Sequence, residues 1–207
     1  MNLEGIKNIV FDLGGVILTL DRSEAIRRFE SKGLKNAADL LDPYHQKGIF
    51  LELEEGTLTL EEFYDAVREE AGTYISDEDI DWGWLGFIQD TPIYKLKMLE
   101  DLRAKGYNLY LLSNTNPVIM KWALSKDFSS EGKSLDEYFD KLYLSYKLGV
   151  TKPNPSIYEQ LIADSGILAS ETLFIEDGKD NIEAGKAVGF KVFQPLNGED
   201  FRYIFED

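Results

Sequence analysis

Three stretches of this chain place polar side chains directly after apolar runs and a fourth places them in a loop, and their residue types suit metal and phosphate chemistry. Asp12 follows Ile9-Val10-Phe11, Ser113-Asn114 follows the run from Tyr107 to Leu112, and Glu176-Asp177 follows Leu173-Phe174-Ile175. Thr151-Lys152 stands in a loop after a further apolar segment near Lys141 to Leu144. An ionised carboxylate at the end of a dry strand is costly unless a cation or hydrogen-bond donors meet it. Adjacent acids such as Glu176 and Asp177 raise each other's pKa unless a metal neutralises them. With no cysteine in the chain and a single histidine, a metal here would be held by oxygen, which points to Mg²⁺ rather than zinc.

The segments that follow these strands start helices. In SNTNPV, Asn116 is placed as an N-cap with Pro117 at the first helical position, and KPNPSI repeats the device with Asn154 and Pro155. Both helices would turn their N-terminal ends toward the same edge. Unpaired N–H groups and the helix dipole favour an anion there, as do the Ser113 hydroxyl and the Lys152 ammonium. Such donors beside acids that need a cation suggest a place for phosphate next to Mg²⁺.

The elements must bring these residues together. The segment from Asn8 to Phe11 is too apolar to alternate, as expected of a strand buried on both faces of a parallel sheet. Further strands are expected near Tyr107 to Leu112, Lys141 to Leu144, Leu173 to Glu176 and Phe190 to Phe193, alternating with helices such as IYKLKMLEDLRAKG. From Arg22 to about Phe87 the strand signal vanishes, and SEAIRRFESKGL, TLEEFYDAVREEAG and SDEDIDWGWLGF read as helices. Thr59 with Glu62 has the form of a capping box, and Ser76 with Asp79 is a weaker match. The pattern predicts an α/β fold, a Rossmann-like doubly wound parallel sheet with an inserted small helical cap. The core would comprise residues 1–18 and 91–207, and the cap 19–90.

At 207 residues, 43% hydrophobic, the chain is long enough for one domain with a sizeable insertion. A net charge of −16 repels a nucleic-acid backbone or an anionic membrane, so neither is expected as a partner. No apolar stretch approaches the length of a membrane span, and the N-terminus lacks signal-peptide regions, which leads us to expect a cytoplasmic protein. The pattern does not fix an oligomeric state.

The series FDLGGV, LLSNTN, TKPNPSIY and FIEDGKDNIEAG, in that order, resembles the four motifs of the haloacid dehalogenase-like hydrolase superfamily. Within it the chain is similar to bacterial sugar-phosphate phosphatases of the α-glucose-1-phosphatase type. The resemblance implies that Asp12 is a nucleophile that forms an aspartyl-phosphate, which water then hydrolyses. It implies that Ser113 and Asn114 hold the phosphoryl oxygens and that Lys152 neutralises charge and orients Asp12. Mg²⁺ would be held by Asp12, the Gly14 backbone carbonyl, Glu176 and Asp177, with Asn181 standing behind these ligands. The implied partner is a small phosphorylated metabolite, such as a sugar 1-phosphate.

One position departs from the pattern. Many phosphatases of this superfamily carry a second Asp two residues after the nucleophile, which protonates the leaving oxygen and then activates water. Here that position is Gly14. General acid catalysis is worth roughly 10² to 10⁴ in rate. The gap therefore predicts a preference for activated esters such as anomeric or acyl phosphates. It also permits 2-haloacid dehalogenation by Asp12, in which halide departs unprotonated, although Glu176 and Asp177 argue against that. It weakens a phosphomutase reading, and it leaves open a phosphate- or partner-binding module without turnover. Two glycines after a strand can also serve only a tight turn.

Other residues carry plainer expectations. Asp21 reads as a helix cap more readily than as a substitute acid. His45 reads as a satisfied or solvent-facing residue, and Trp82, Trp84 and Phe87 read as the core of the helical insertion. Glu52 to Glu55 reads as a solvated helix face, and Glu61, Glu62, Glu69 and Glu70 as an exposed face opposite Leu60, Phe63 and Val67.

Overall fold

The computed structural model describes residues 1–42 and 45–206. Strand β1 (Asn8–Phe11) is followed by the short β2 (Thr19–Leu20) and then by helices α1 (Arg22–Lys32), α2 (Ala37–Leu40), α3 (Ile49–Glu54), α4 (Leu60–Ala71) and α5 (Asp77–Leu85). The short β3 (Ile88–Asp90) closes this excursion, and α6 (Ile93–Ala104), β4 (Asn108–Ser113) and α7 (Pro117–Ala123) follow. The chain continues through β5 (Lys141–Leu144), α8 (Ser145–Leu148), α9 (Pro155–Ser165), β6 (Thr172–Ile175), α10 (Lys179–Ala187) and β7 (Lys191–Phe193). Five strands form one parallel sheet in the order β5-β4-β1-β6-β7, the doubly wound α/β fold expected from the sequence.

Alternating side chains of the central strands serve two cores, because successive residues of a strand point to opposite faces. Ile9 and Phe11 join Leu109, Leu111, Leu173 and Ile175 on one face, against Leu96 and Leu99 of α6. Val10, Leu112 and Phe174 meet Ile157, Tyr158 and Leu161 of α9 on the other. Full burial on both sides explains why β1 shows no polar alternation.

Helices α1 to α5 build a third core of their own around Phe29, Phe50, Phe63 and Trp84, whose rings meet edge-on or tilted at 5.1–6.4 Å. Val118 and Ile119 of α7 belong to it as well, so this layer rests on the sheet layer beside the SNTNP turn. Thr59 and Glu62 form the full capping box of α4. At α5 only half of the device is present: the Asp79 N–H donates to Ser76 Oγ, while the Asp79 carboxylate pairs with Lys32 at 2.7 Å.

The antiparallel pair β2 and β3 was not expected, since strands of two and three residues are too short to show a period. Leu20 is fixed there from both sides of its peptide. Its N–H donates to Asn197 Oδ1 at 3.0 Å and its carbonyl accepts from Asn197 Nδ2 at 2.9 Å.

Two expectations are corrected. Trp82 is 36% exposed and lies under the cations of Arg28 and Lys32 rather than in the helical core. On α3, which turns one side to that core, Leu53 and Glu54 are buried, so Glu52 to Glu55 is not a solvated face.

Candidate active site

Register explains the convergence. Phe11 of β1 lies opposite Leu111 of β4 and Ile175 of β6, so the residues that leave these strands arrive side by side. Asp12 leaves β1, Ser113 ends β4, and Glu176 leaves β6. Lys152 comes from the loop between α8 and α9 and supplies the charge between them. Its Nζ donates to Asp12 Oδ1 at 2.8 Å, to Glu176 Oε2 at 2.5 Å and to the Leu112 carbonyl at 2.9 Å. Three acceptors satisfy all three ammonium protons. Lys152 is 1% exposed, so it is no surface lysine. Burial opposes its charge, but the Asp12 and Glu176 carboxylates overcome this and hold its pKa above the ordinary lysine value.

Glu176 is engaged at both oxygens, since Oε1 also accepts the Gly178 N–H at 2.8 Å. Asp177 completes an acidic cluster, and one oxygen from each of Asp12, Glu176 and Asp177 lies within 4.8 Å of the others. Three carboxylates around one ammonium leave the cluster short of positive charge. Accordingly, burial first and the Glu176 charge second push Asp12 up to about 7, against the pull of Lys152. Burial first and the Asp12 charge second push Asp177 up to about 8. A divalent cation would relieve both, and hard oxygen donors suit Mg²⁺. Asn181 Oδ1 is a further sign: it is buried in the same wall with no hydrogen-bond partner among the described residues, as an acceptor for metal-bound water would be. These residues therefore fit a Mg²⁺ ion.

The cleft above this cluster is lined by Gly14, Ser113, Asn114, Thr115 and Asn116 on the sheet side. The Asn114 side chain spends both ends on the backbone of Lys152. Its Nδ2 donates to the Lys152 carbonyl at 2.9 Å, and its Oδ1 accepts the Lys152 N–H at 2.7 Å. It positions the lysine loop and keeps one Nδ2 proton for a ligand in the cleft. The Ser113 hydroxyl makes only a 3.3 Å contact with the Asn114 carbonyl and is available.

Two donors were not singled out by the sequence. Thr115 Oγ1 and Asn116 Nδ2 are buried in the cleft wall without partners among the described residues. Asn116 caps α7 with Oδ1 alone, accepting the Val118 and Ile119 N–H groups at 3.0 and 3.1 Å. That use was the available signal, because an Asn that caps through oxygen keeps two amide protons to give.

The helical layer closes the other side with Leu20, Gln46, Glu54, Trp84 and Phe87. A Cβ on Gly14 would lie 2.8 Å from Leu20 Cδ1, so a leucine fills the space beside the bare position. Asp21 is no substitute there: its Oδ1 accepts the Glu24 N–H as the cap of α1. His45 does not line the cleft, and its main-chain N–H donates to Asp42 Oδ1 at 3.1 Å.

Comparison with known proteins agrees with this geometry. The profile of the haloacid dehalogenase-like hydrolase family matches residues 6–189. A D-ribitol-5-phosphate phosphatase from Bacteroides thetaiotaomicron is 52% identical over 197 residues, which cover 95% of each chain. A HAD family enzyme from the same organism, solved as an aspartate-to-alanine variant with magnesium and inorganic phosphate, superposes with a TM-score of 0.93 at 39% identity, over 98% of this chain and 100% of that one. A HAD-like family hydrolase from Porphyromonas gingivalis gives 0.92 at 40% identity, over 98% of both chains. An L-2-haloacid dehalogenase from Xanthobacter autotrophicus shares only the fold, with a TM-score of 0.58 at 17% identity, over 91% of this chain and 77% of that one.

Proposed function

Because this chain belongs to the haloacid dehalogenase-like hydrolase family, we propose that its cleft is the active site of a Mg²⁺-dependent phosphatase that hydrolyses a small phosphorylated sugar or polyol through Asp12. The observation that carries this reading is the Lys152 ammonium wedged between Asp12 and Glu176, beside an Asp177 that has no ion pair among the described residues. Phosphoryl transfer asks a protein mainly for positioning and charge neutralisation.

In this reading Lys152 holds one Asp12 oxygen and leaves the other to attack phosphorus in line with the departing oxygen. Ser113, Thr115 and Asn116 present donors to the phosphoryl oxygens. Asp12, Asp177 and the Gly14 carbonyl would hold Mg²⁺, which supplies positive charge against those same oxygens when bound. Glu176, with both oxygens occupied, anchors Lys152 and stands in the same cluster that would hold the ion. Asn181 would accept from an ion-bound water. Residues 19–90 act as the cap that shields the reaction from bulk water.

The cap contributes both polar and apolar groups to the cleft, Gln46 and Glu54 beside Leu20 and Phe87, which suits a short polyhydroxylated leaving group. The 52% identical ribitol-phosphate phosphatase favours a phosphate on a polyol end over an anomeric phosphate. The test is phosphate release from polyol phosphates, sugar 1-phosphates and sugar 6-phosphates, with and without Mg²⁺, together with chloride release from 2-chloropropionate. Phosphate release that needs Mg²⁺ and disappears in Asp12→Asn supports the reading. Metal-independent chloride release would replace it with dehalogenation.

A further inference from the structure

The Gly14 gap leaves a departing alkoxide without its usual proton source, and a polyol phosphate needs one more than an activated ester does. The structure offers a replacement from the cap. Helix α3 ends at Glu54, and the residues after it are tied to the sheet layer. Thr151 Oγ1 donates to Glu55 Oε1 at 3.2 Å. Gly56, at φ +69°, passes so near Tyr146 that a Cβ would stand 2.2 Å from its carbonyl oxygen. Both tethers reach the segment that delivers Lys152, which holds the end of α3 against the cleft.

Glu54 is 5% exposed and lines the cleft together with Asp12, Gly14 and Lys152. Among the described residues no hydrogen bond or ion pair reaches its carboxyl. The other carboxyl groups in the cleft wall are Asp12, Glu176 and Asp177, all committed to the lysine and metal cluster. Gln46 and Trp84, the other polar cap residues there, have no proton to release near neutral pH. The charges facing Glu54 come from Asp12, Lys152 and the neighbouring Glu55. Burial first, then the Asp12 charge, push its carboxyl from 4.5 up to about 8, with Lys152 opposing and Glu55 adding to the rise. Both effects favour the protonated carboxyl.

Resting on the phosphatase reading above, we propose that Glu54 is a catalytic residue, the acid and base of the reaction, supplied by the cap in place of a side chain at position 14. In the first step the Asp12 carboxylate oxygen bonds to phosphorus and the bond from phosphorus to the leaving oxygen breaks. The Glu54 proton passes to that oxygen, and the alcohol departs. In the second step water enters from the vacated side and loses a proton to Glu54. Its oxygen bonds to phosphorus as the bond from phosphorus to Asp12 breaks, which releases phosphate and restores both residues.

The test uses Glu54→Gln and Glu54→Asp in the full chain, comparing kcat/KM for an alkyl phosphate, glycerol phosphate, with that for 4-nitrophenyl phosphate, whose leaving group needs no proton. For Glu54→Gln the expected loss is roughly 10² to 10⁴ on the alkyl ester, with little change on the nitrophenyl ester. Glu54→Asp should recover part of the loss. The alkaline limb of the pH profile for the alkyl ester, present in the unmodified protein, should vanish in Glu54→Gln. Equal losses on both esters, or no loss on either, would overturn the proposal. If Glu54→Gln does not fold, an alkaline limb that is the same for both esters in the unmodified protein overturns it instead. Absence of Mg²⁺- and Asp12-dependent nitrophenyl phosphate hydrolysis in the unmodified protein would instead overturn the phosphatase reading, and Glu54's role with it.

Discussion

The backbone of Gly15 runs so close to Asp177 that a Cβ on residue 15 would lie 2.1 Å from the carboxylate Oδ2. Gly15 also sits at φ +73°, a conformation that costs a residue with a side chain about 1–2 kcal/mol. The second glycine after Asp12 thus makes room for an acid that arrives from the far end of the chain. Gly15→Ala should push the Asp177 carboxylate away and weaken Mg²⁺ binding at least tenfold. Titration of Mg²⁺ by calorimetry checks this, and unchanged affinity would mean that Asp177 holds no ion.

Lys152 lies between two buried carboxylates and pairs with both, and removing one partner of a buried ion pair strands the other. Lys152→Met should abolish turnover and destabilise the metal-free protein by about 3–5 kcal/mol. Denaturant unfolding in a chelator measures the cost. A loss under about 1 kcal/mol, typical of an exposed pair, would contradict the geometry.

The central sheet could be read from the sequence because buried parallel strands are short apolar runs with their chemistry at one end, as with Asp12 after Phe11. Asn116-Pro117 and Asn154-Pro155 announced their helices because N-capping is local. What escaped depends on residues distant in sequence. Glu54 reads as one of several acids on a short helix, and its burial comes from the docking of Gly56 on Tyr146, about 90 residues away. Likewise, nothing in the Asn114 neighbourhood says that its amide would be spent on the Lys152 backbone. Leu20 filling the space beside Gly14 depends on the β2–β3 pairing, which has no sequence period.

Stability should follow pH with a sign fixed by three carboxyls. In the folded, metal-free chain Asp12 lies at about 7, and Asp177 and Glu54 at about 8, against 3.8 for Asp and 4.5 for Glu unperturbed. Each binds its proton more tightly folded than unfolded, so its contribution is fully present below about pH 4 and is lost as pH rises through 7 to 8. If Mg²⁺ is held by Asp12 and Asp177 as proposed, it binds them ionised, so its stabilising effect should grow over the same interval. Melting temperatures in chelator and in saturating Mg²⁺, from about pH 5 to about pH 9, test this. A Mg²⁺ effect that shrinks with rising pH would contradict it.

Lys95 is a second buried lysine, 1% exposed, and it acts on the loop after Asp12 from below. Its Nζ donates to the Val16 carbonyl and lies 5.4 Å from the centre of the Phe201 ring. Among the described residues it has no ion pair, and burial pulls its pKa down to about 8, with nearby acids such as Asp200 opposing. A charge held at such a cost in order to fix one carbonyl indicates that the path of residues 13–18 matters more than local stability. Lys95→Met keeps most of the volume and removes both the desolvation penalty and the tether, so the change in stability should stay within about 1.5 kcal/mol. Turnover is expected to fall by roughly 10- to 100-fold at saturating Mg²⁺, because a nucleophile displaced by about 1 Å loses that much. Wild-type kcat in a stably folded Lys95→Met would show that the Asp12 loop holds its course without the lysine.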